Sequence, residues 1–295
     1  MVHGVDNAGL REMKMQSGMP CKICASASRE RFRARILAKY DVTYYCCDSC
    51  GFLQTEEPYW LSESYQNSLT TSDTGSLLRS LSLAEIVSVV LYFFFDENAR
   101  YLDHAGGYGL FTRRMRDIGF DFYWRDRYSP NLLAKGFEYT EATGSVELIT
   151  CFESFEHFGD PLAEIEGMLS ISRSIIFTTE LLPHPLPKPD EWYYYGLHHG
   201  QHISFYSART LAFIADKYRL KFYAAHPVYI LSKESFQPAM LKLLLRLRRF
   251  GLFVYVKQRV ESRTVADSIE LAARSVANRQ PEERILGAGY DKTSG

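Results

Sequence analysis

Hydrophobic positions along this chain change period several times, and each change predicts an element. From 77 to 95 apolar residues fall at helical spacing, and the densest run, 86–95, is broken by Ser88 and bounded by Glu85 and Asp96. That run is too short to span a bilayer, so a buried helix leading into a strand is expected. Tyr101-Leu102 reads as the end of that strand. Asp103 and a small-residue turn, Ala105-Gly106-Gly107-Tyr108-Gly109, follow it. Leu110, Phe111, Met115 and Ile118 then share one helical face, with Arg113, Arg114 and Arg116 mostly off it. Gly119 ends the helix. Phe120-Asp121-Phe122-Tyr123-Trp124 predicts a second strand, with Asp126 at its C-terminal end.

The same alternation continues. A third strand is expected around 137–140, and buried strands at 146–152 and 174–180. A helix starts just after Pro161, capped by Asp160, with Leu162, Ile165 and Leu169 on one face. Strands alternating with helices predict a parallel sheet. Residues 183–199 carry four of the eleven prolines, three tyrosines and three histidines, a composition that predicts a loop. Ser207 is placed to cap a helix over 208–217, and 220–225 with 228–232 read as an antiparallel pair around Pro227. Residues 239–250 are apolar and basic at helical spacing, as in a surface or interdomain helix.

Composition bounds the rest. At 295 residues the chain can bury a large core in one or two domains. Lys+Arg 34 against Asp+Glu 35 gives a net charge of −1, which offers no electrostatic case for nucleic acid. The N-terminus is polar and lacks the apolar segment of a secretory signal; a cytoplasmic protein without a membrane span is expected. The first 18 residues and about the last 15 read as disordered. Residues 57–98 read as a linker passing into a helix, in which Tyr59, Trp60 and Tyr65 either pack between domains or close over a site. Oligomeric state is not legible.

Five of the six cysteines lie between positions 21 and 50. In a reducing compartment such clustering points to metal rather than disulfides. Cys21-Lys22-Ile23-Cys24 and Cys47-Asp48-Ser49-Cys50 are two CxxC turns separated by a strand-like stretch. Cys21, Cys24, Cys47 and Cys50 together suit one tetrahedral zinc in a ribbon or knuckle over 19–56. Four thiolates leave no open position, so the ion is expected to be structural. Cys46 is a fifth candidate, read as a neighbour pointing away.

The strand–glycine turn–helix–strand–acid unit at 100–126 has the makings of a nucleoside site. Glycines let a ligand approach the main chain, a helix N-terminus offers unpaired N–H groups, and an acid about 20 residues after the turn accepts from ribose hydroxyls. A dinucleotide fingerprint would need a third glycine, where this chain has Thr112. The pattern Asp-x-Ala-x-Gly-x-Gly, residues 103–109, instead resembles the first motif of class I S-adenosylmethionine (SAM)-dependent methyltransferases, with Ala105 in place of the usual glycine. Residues 149–169 resemble the fourth motif of that group, and 192–214, with His202, Ser204, Phe205, Tyr206 and Ser207, resemble a segment following its fifth strand. With the cysteine-rich N-terminus, residues 20–235 resemble bacterial sugar C-methyltransferases.

The resemblance implies an α/β fold, a Rossmann-like sheet that is mostly parallel and closed by a terminal antiparallel hairpin. The methyltransferase domain would span 99–235 and a helical extension 236–295. It further implies that Asp103 orients the turn, that Ala105, Gly107 and Gly109 give close approach to SAM, and that Asp126 binds its ribose. Phe152 and Glu153 would lie near the cofactor. Methyl transfer to a hydroxyl, or to a carbon beside a ketone, needs a base, and histidine suits that task near neutral pH. His157, His199 and His202 are the candidates, with Tyr65, Tyr193, Tyr194 and Tyr195 expected to line the acceptor pocket. A small-molecule acceptor, such as a nucleotide-linked sugar, is the partner expected. Two other readings stand beside this one, an NAD(P)-dependent oxidoreductase and a non-catalytic zinc-and-nucleotide binding module.

Overall fold

The computed structural model describes residues 18–65 and 74–287, with side chains through 277. The expectations for 1–17, 66–73 and 288–295 lie outside the described residues. In chain order the strands are β1 (Met19–Pro20), β2 (Ala27–Ile36), β3 (Tyr40–Cys47), β4 (Leu53–Thr55), β5 (Arg100–His104), β6 (Asp121–Arg125), β7 (Leu148–Cys151), β8 (Ser174–Phe177), β9 (Ser204–Phe205), β10 (Lys221–Ala225) and β11 (Val228–Ser232). The helices are α1 (Leu61–Ser64), α2 (Ser76–Phe94), α3 (Leu110–Ile118), α4 (Pro161–Leu169), α5 (Ala208–Lys217), α6 (Pro238–Leu247), α7 (Leu252–Arg259) and α8 (Thr264–Gly287).

The chain divides into two compact units. The described part of the first gathers 18–65, 153–167 and 178–222. Its five-stranded sheet runs β1-β2-β3-β4-β9, antiparallel at every pairing. Ile36, Val42, Tyr44, Leu53, Trp60, Tyr195, Ile203 and Phe205 form its core. Each such apolar side chain removed from water contributes about 1.5–3 kcal/mol. Trp60 satisfies its buried indole N–H on the Gly200 carbonyl at 2.8 Å. Ser207 caps α5, its Oγ accepting from the Thr210 N–H at 3.1 Å.

The second unit holds the larger sheet, ordered β10-β11-β8-β7-β5-β6. Pairings β6–β5, β5–β7 and β7–β8 are parallel, and β11 runs antiparallel to β8. Every residue of β7 and β8 is buried, as strands covered on both faces require. The strand expected at 137–140 is reduced to one bridge, Trp124 to Glu138. Two main-chain bonds make that bridge, Trp124 N–H to the Phe137 carbonyl at 2.8 Å and Tyr139 N–H to the Trp124 carbonyl at 2.7 Å, and the Glu138 carboxylate also accepts from Asn131 Nδ2 at 2.7 Å and from the Gly136 N–H at 2.9 Å. Among the described residues, the sheet therefore has a bridge rather than a full strand beyond β6.

Helix α2, Ser76–Phe94, follows the helical spacing expected over 77–95. By length and composition alone it could cross a membrane. Its residues from Leu83 to Leu91 are mostly buried in the second unit's core, beside Met115, Phe122 and Val256. α8 runs on to Gly287, into the segment expected to be disordered. Its anchor is Asp267, 2% exposed, which accepts from Arg116 Nε at 2.8 Å and Nη2 at 2.7 Å.

Candidate functional site

The glycine turn joins β5 to α3 in the second unit. Ala105, Gly107 and Gly109 have φ of +57°, +53° and +85°, a left-handed run that turns the chain sharply into the helix. Such angles cost a residue with a Cβ about 1–2 kcal/mol, so Ala105 holds its place under strain. Asp103, at the end of β5, is 2% exposed. It accepts from the Thr112 hydroxyl at 2.9 Å and the Thr150 hydroxyl at 3.1 Å. Burial pushes its carboxyl up to about 7, against the pull of those hydroxyls. Asp103 therefore ties the turn, the helix and β7 together from beneath.

Asp126 holds the turn from the other side. Its Oδ2 accepts from the Gly107 N–H at 2.9 Å, and Oδ1 accepts from the N–H groups of Tyr128 and Ser129 at 2.7 Å each. The Trp124 indole donates to the Gly107 carbonyl at 2.9 Å. A Cβ added at Gly107 would meet nothing within 4 Å, whereas at Gly106 it would lie 2.6 Å from Asp103. The turn is thus braced below and open above Gly107, where a ligand can reach the main chain. An open glycine turn, a helix N-terminus and an acid one strand away suit SAM. Phe152 packs edge-on against Phe111 of α3, ring centres 4.9 Å apart.

Sequence reasoning passed over His104, beside the turn. Its Nδ1 is buried without a hydrogen-bond partner, and burial with the nearby Arg125 pulls the imidazole down to about 4. The only signal was its position between Asp103 and Ala105.

In the first unit, Glu153 opens a short 153–157 segment with a φ of +49°. Its N–H donates to Thr178 Oγ1 at 2.8 Å and its Oε1 accepts from the same hydroxyl at 2.8 Å. Glu156, His157, His199 and His202 come together nearby in this unit. The ring centres of His157 and His202 are 5.0 Å apart, and those of His199 and His202 4.6 Å. His157 Nδ1 lies 3.1 Å from the Gln201 carbonyl and 3.0 Å from the Tyr65 hydroxyl. His202 Nδ1 lies 2.6 Å from the Tyr194 carbonyl. A carbonyl only accepts, so Nδ1 carries the proton in both rings and Nε2 bears the lone pair. His199 is the opposite tautomer: its Nδ1 accepts from the Gln201 N–H at 3.1 Å, which leaves Nε2–H as a donor.

Burial holds His157 down to about 4 and His199 and His202 to about 3, so all three are neutral near pH 7. Burial, then repulsion from Glu153, pushes the Glu156 carboxyl up to about 8. The tyrosines divide. Tyr194 is buried, its ring centre 4.6 Å from that of His202. Tyr195 belongs to the core, its hydroxyl donating to the Pro187 carbonyl at 2.9 Å. Tyr193 is 78% exposed.

The four cysteines converge in the same unit. Cys21 Sγ lies 3.5 Å from Cys50 Sγ and Cys24 Sγ 3.4 Å from Cys47 Sγ, and all four sulfurs fall within 4.8 Å of one another. Tetrahedral bonds of about 2.3 Å to zinc set sulfurs ~3.8 Å apart, so the group fits that ion. Cys21 is held down to about 5 by the Cys50 thiol, and Cys50 is pushed up by Cys21 and by burial. Cys46 follows the strand alternation and stays out of the group.

Residues 79–223 match a family model described as a methyltransferase domain. No protein of curated function matches the chain. Among solved structures, a plantazolicin methyltransferase in complex with a monoazolic desmethylPZN analogue and S-adenosylhomocysteine (SAH) shares 14% identity. That match covers 68% of this chain and 88% of the other, with a TM-score of 0.44. Magnesium protoporphyrin IX methyltransferase from Synechocystis PCC 6803, with bound SAM, shares 12% over 59% of this chain and 90% of its own, TM-score 0.35. The mitomycin 7-O-methyltransferase shares 13% over 58% and 59%, TM-score 0.38. Likeness at this level carries nothing about the acceptor.

Proposed function

We propose that this SAM-dependent methyltransferase, whose methyltransferase domain spans 79–223, acts on a small oxygenated molecule, a nucleotide-linked sugar by class. The observation that carries this is the cluster of Glu156, His157, His199 and His202. Two imidazoles offer Nε2 lone pairs and the third offers an N–H, a set that grips hydroxyl or keto groups and assists loss of a proton. Bound SAM supplies an electrophilic methyl on a good leaving group, so the protein's task is mainly to position the acceptor and relieve it of its proton. In the second unit Asp103 and Asp126 brace the turn that receives the donor, and the open face at Gly107 admits its backbone approach. Four thiolates at Cys21, Cys24, Cys47 and Cys50 are assigned a structural zinc, which suits a reducing compartment such as the cytoplasm.

The test is transfer of an isotopically labelled methyl from SAM to a panel of nucleotide-linked keto and hydroxy sugars beside non-sugar phenols and carboxylates. Label on a sugar carbon or oxygen is the expected result. Label confined to the non-sugar acceptors would overturn the sugar assignment.

A further inference from the structure

A lone pair that accepts an acceptor's proton also binds a cation, and the residues around His157 and His202 favour the second use. Each ring donates Nδ1–H to a main-chain carbonyl, Gln201 and Tyr194 respectively. That arrangement fixes the ring and its tautomer with Nε2 free, as around metal-bound histidines. Proton abstraction alone gives no reason for the third member. Glu156 is 1% exposed; the Tyr194 hydroxyl and its own backbone N–H neighbour the carboxyl, but its buried Oε2 makes no well-formed hydrogen bond. A buried carboxyl oxygen without a well-formed bond is costly, and a cation bound there would remove that cost and favour the ionised form. One ligand atom from each of Glu156, His157 and His202 lies within 4.8 Å of the other two.

We propose that Glu156, His157 and His202 form a binding site for one divalent transition-metal cation, separate from the four-cysteine group. Two imidazole nitrogens and a carboxylate oxygen suit zinc or iron(II) rather than magnesium or calcium, which prefer all-oxygen shells. Three protein ligands leave coordination positions open, as in catalytic rather than structural sites. Those positions fit an acceptor with neighbouring oxygens, such as a hydroxy-ketone or a diol, and a bound cation makes its proton more acidic. His199, whose Nε2 carries a proton, stays outside the ligand set and donates to the same acceptor. This deepens the small-molecule reading, while the cation site itself needs no acceptor to be detected.

The experiment uses the full chain. Metal content is measured after equilibration with zinc and removal of free ion, for wild type, Glu156→Gln and His202→Ala. Wild type is expected to hold a second equivalent beyond the four-cysteine ion, and each variant to lose that equivalent while keeping the first. Retention of the first ion shows that the variants fold. Cobalt(II) supplies a second readout. The second equivalent should add weak d–d absorption without the intense sulfur charge-transfer bands of the first. Wild type saturating at a single equivalent, or variants that still take two, overturns the proposal. SAM binding measured on the same samples separates the two readings, since a protein that binds SAM but takes one ion sinks the cation site alone.

Discussion

Ala105 occupies the position where a glycine would be at ease. Its φ of +57° costs about 1–2 kcal/mol, whereas glycine adds roughly 0.5–1 kcal/mol of backbone entropy to the unfolded chain. Ala105→Gly should therefore leave stability unchanged or raise it by up to about 1.5 kcal/mol, read from urea denaturation. A loss of stability would show that the methyl group packs usefully. Asp126 has a different role, because its carboxylate is bonded to three backbone N–H groups around the turn. Asp126→Ala should weaken SAM binding by at least tenfold, about 1.4 kcal/mol, in a titration at neutral pH. Unchanged affinity would remove Asp126 from the donor site. The motif at 103–109 was legible because the turn uses glycines that a sequence displays. His104 was not, since a histidine with an unpartnered buried nitrogen looks in sequence like any other.

At the scale of elements, the thiolate group joins the β1–β2 end of the small sheet to the turn after β3. The Cys50 carbonyl accepts from the Thr210 hydroxyl at 2.9 Å, which links that turn to the start of α5. Loss of the assigned zinc should loosen this end first. Cys21→Ser is expected to abolish binding of that ion and to lower the midpoint of thermal unfolding by several degrees, seen by metal analysis and calorimetry. A fully retained ion would contradict the ligand assignment. Elements with strong local signals were readable in advance. The Ser207-capped helix and the buried runs of β7 and β8 lie where the apolar pattern puts them. The expected strand at 137–140 is present only as a bridge to β6, with two main-chain bonds at Trp124, a shortening that apolar periodicity does not reveal. The pairing of β4 with β9, residues 53–54 with 204–205, is a contact distant in sequence that no local pattern encodes.

The whole molecule keeps its C-terminal helix through a pair of charges that sequence reading passed over. Arg116 is 1% exposed and meets Asp267 through two hydrogen bonds and Asp121 through a third, at 2.6 Å, with its guanidinium 3.5 Å above the Phe137 ring. Breaking one side of a buried pair costs about 3–5 kcal/mol, so Asp267→Asn should lower stability by an amount of that order. Burial raises the Asp267 pKa, but the hydrogen bonds and charges of Arg116 and then Arg113 outweigh it and hold the carboxyl below its usual range. A depressed folded pKa contributes stability that is complete above the unfolded value, near 3.8, and is lost as pH falls through the folded one. The gap between wild type and Asp267→Asn should accordingly be full at neutral pH and close in acid below that range. A gap that stays constant with pH would contradict the role of this pair. The central claim, that the braced glycine turn serves SAM rather than a nicotinamide dinucleotide, is met most directly by calorimetric titration of the full chain with SAM, SAH and NAD in parallel. Saturable binding of SAM and SAH, with no heat from NAD, is the predicted result; saturable binding of NAD alone would contradict it.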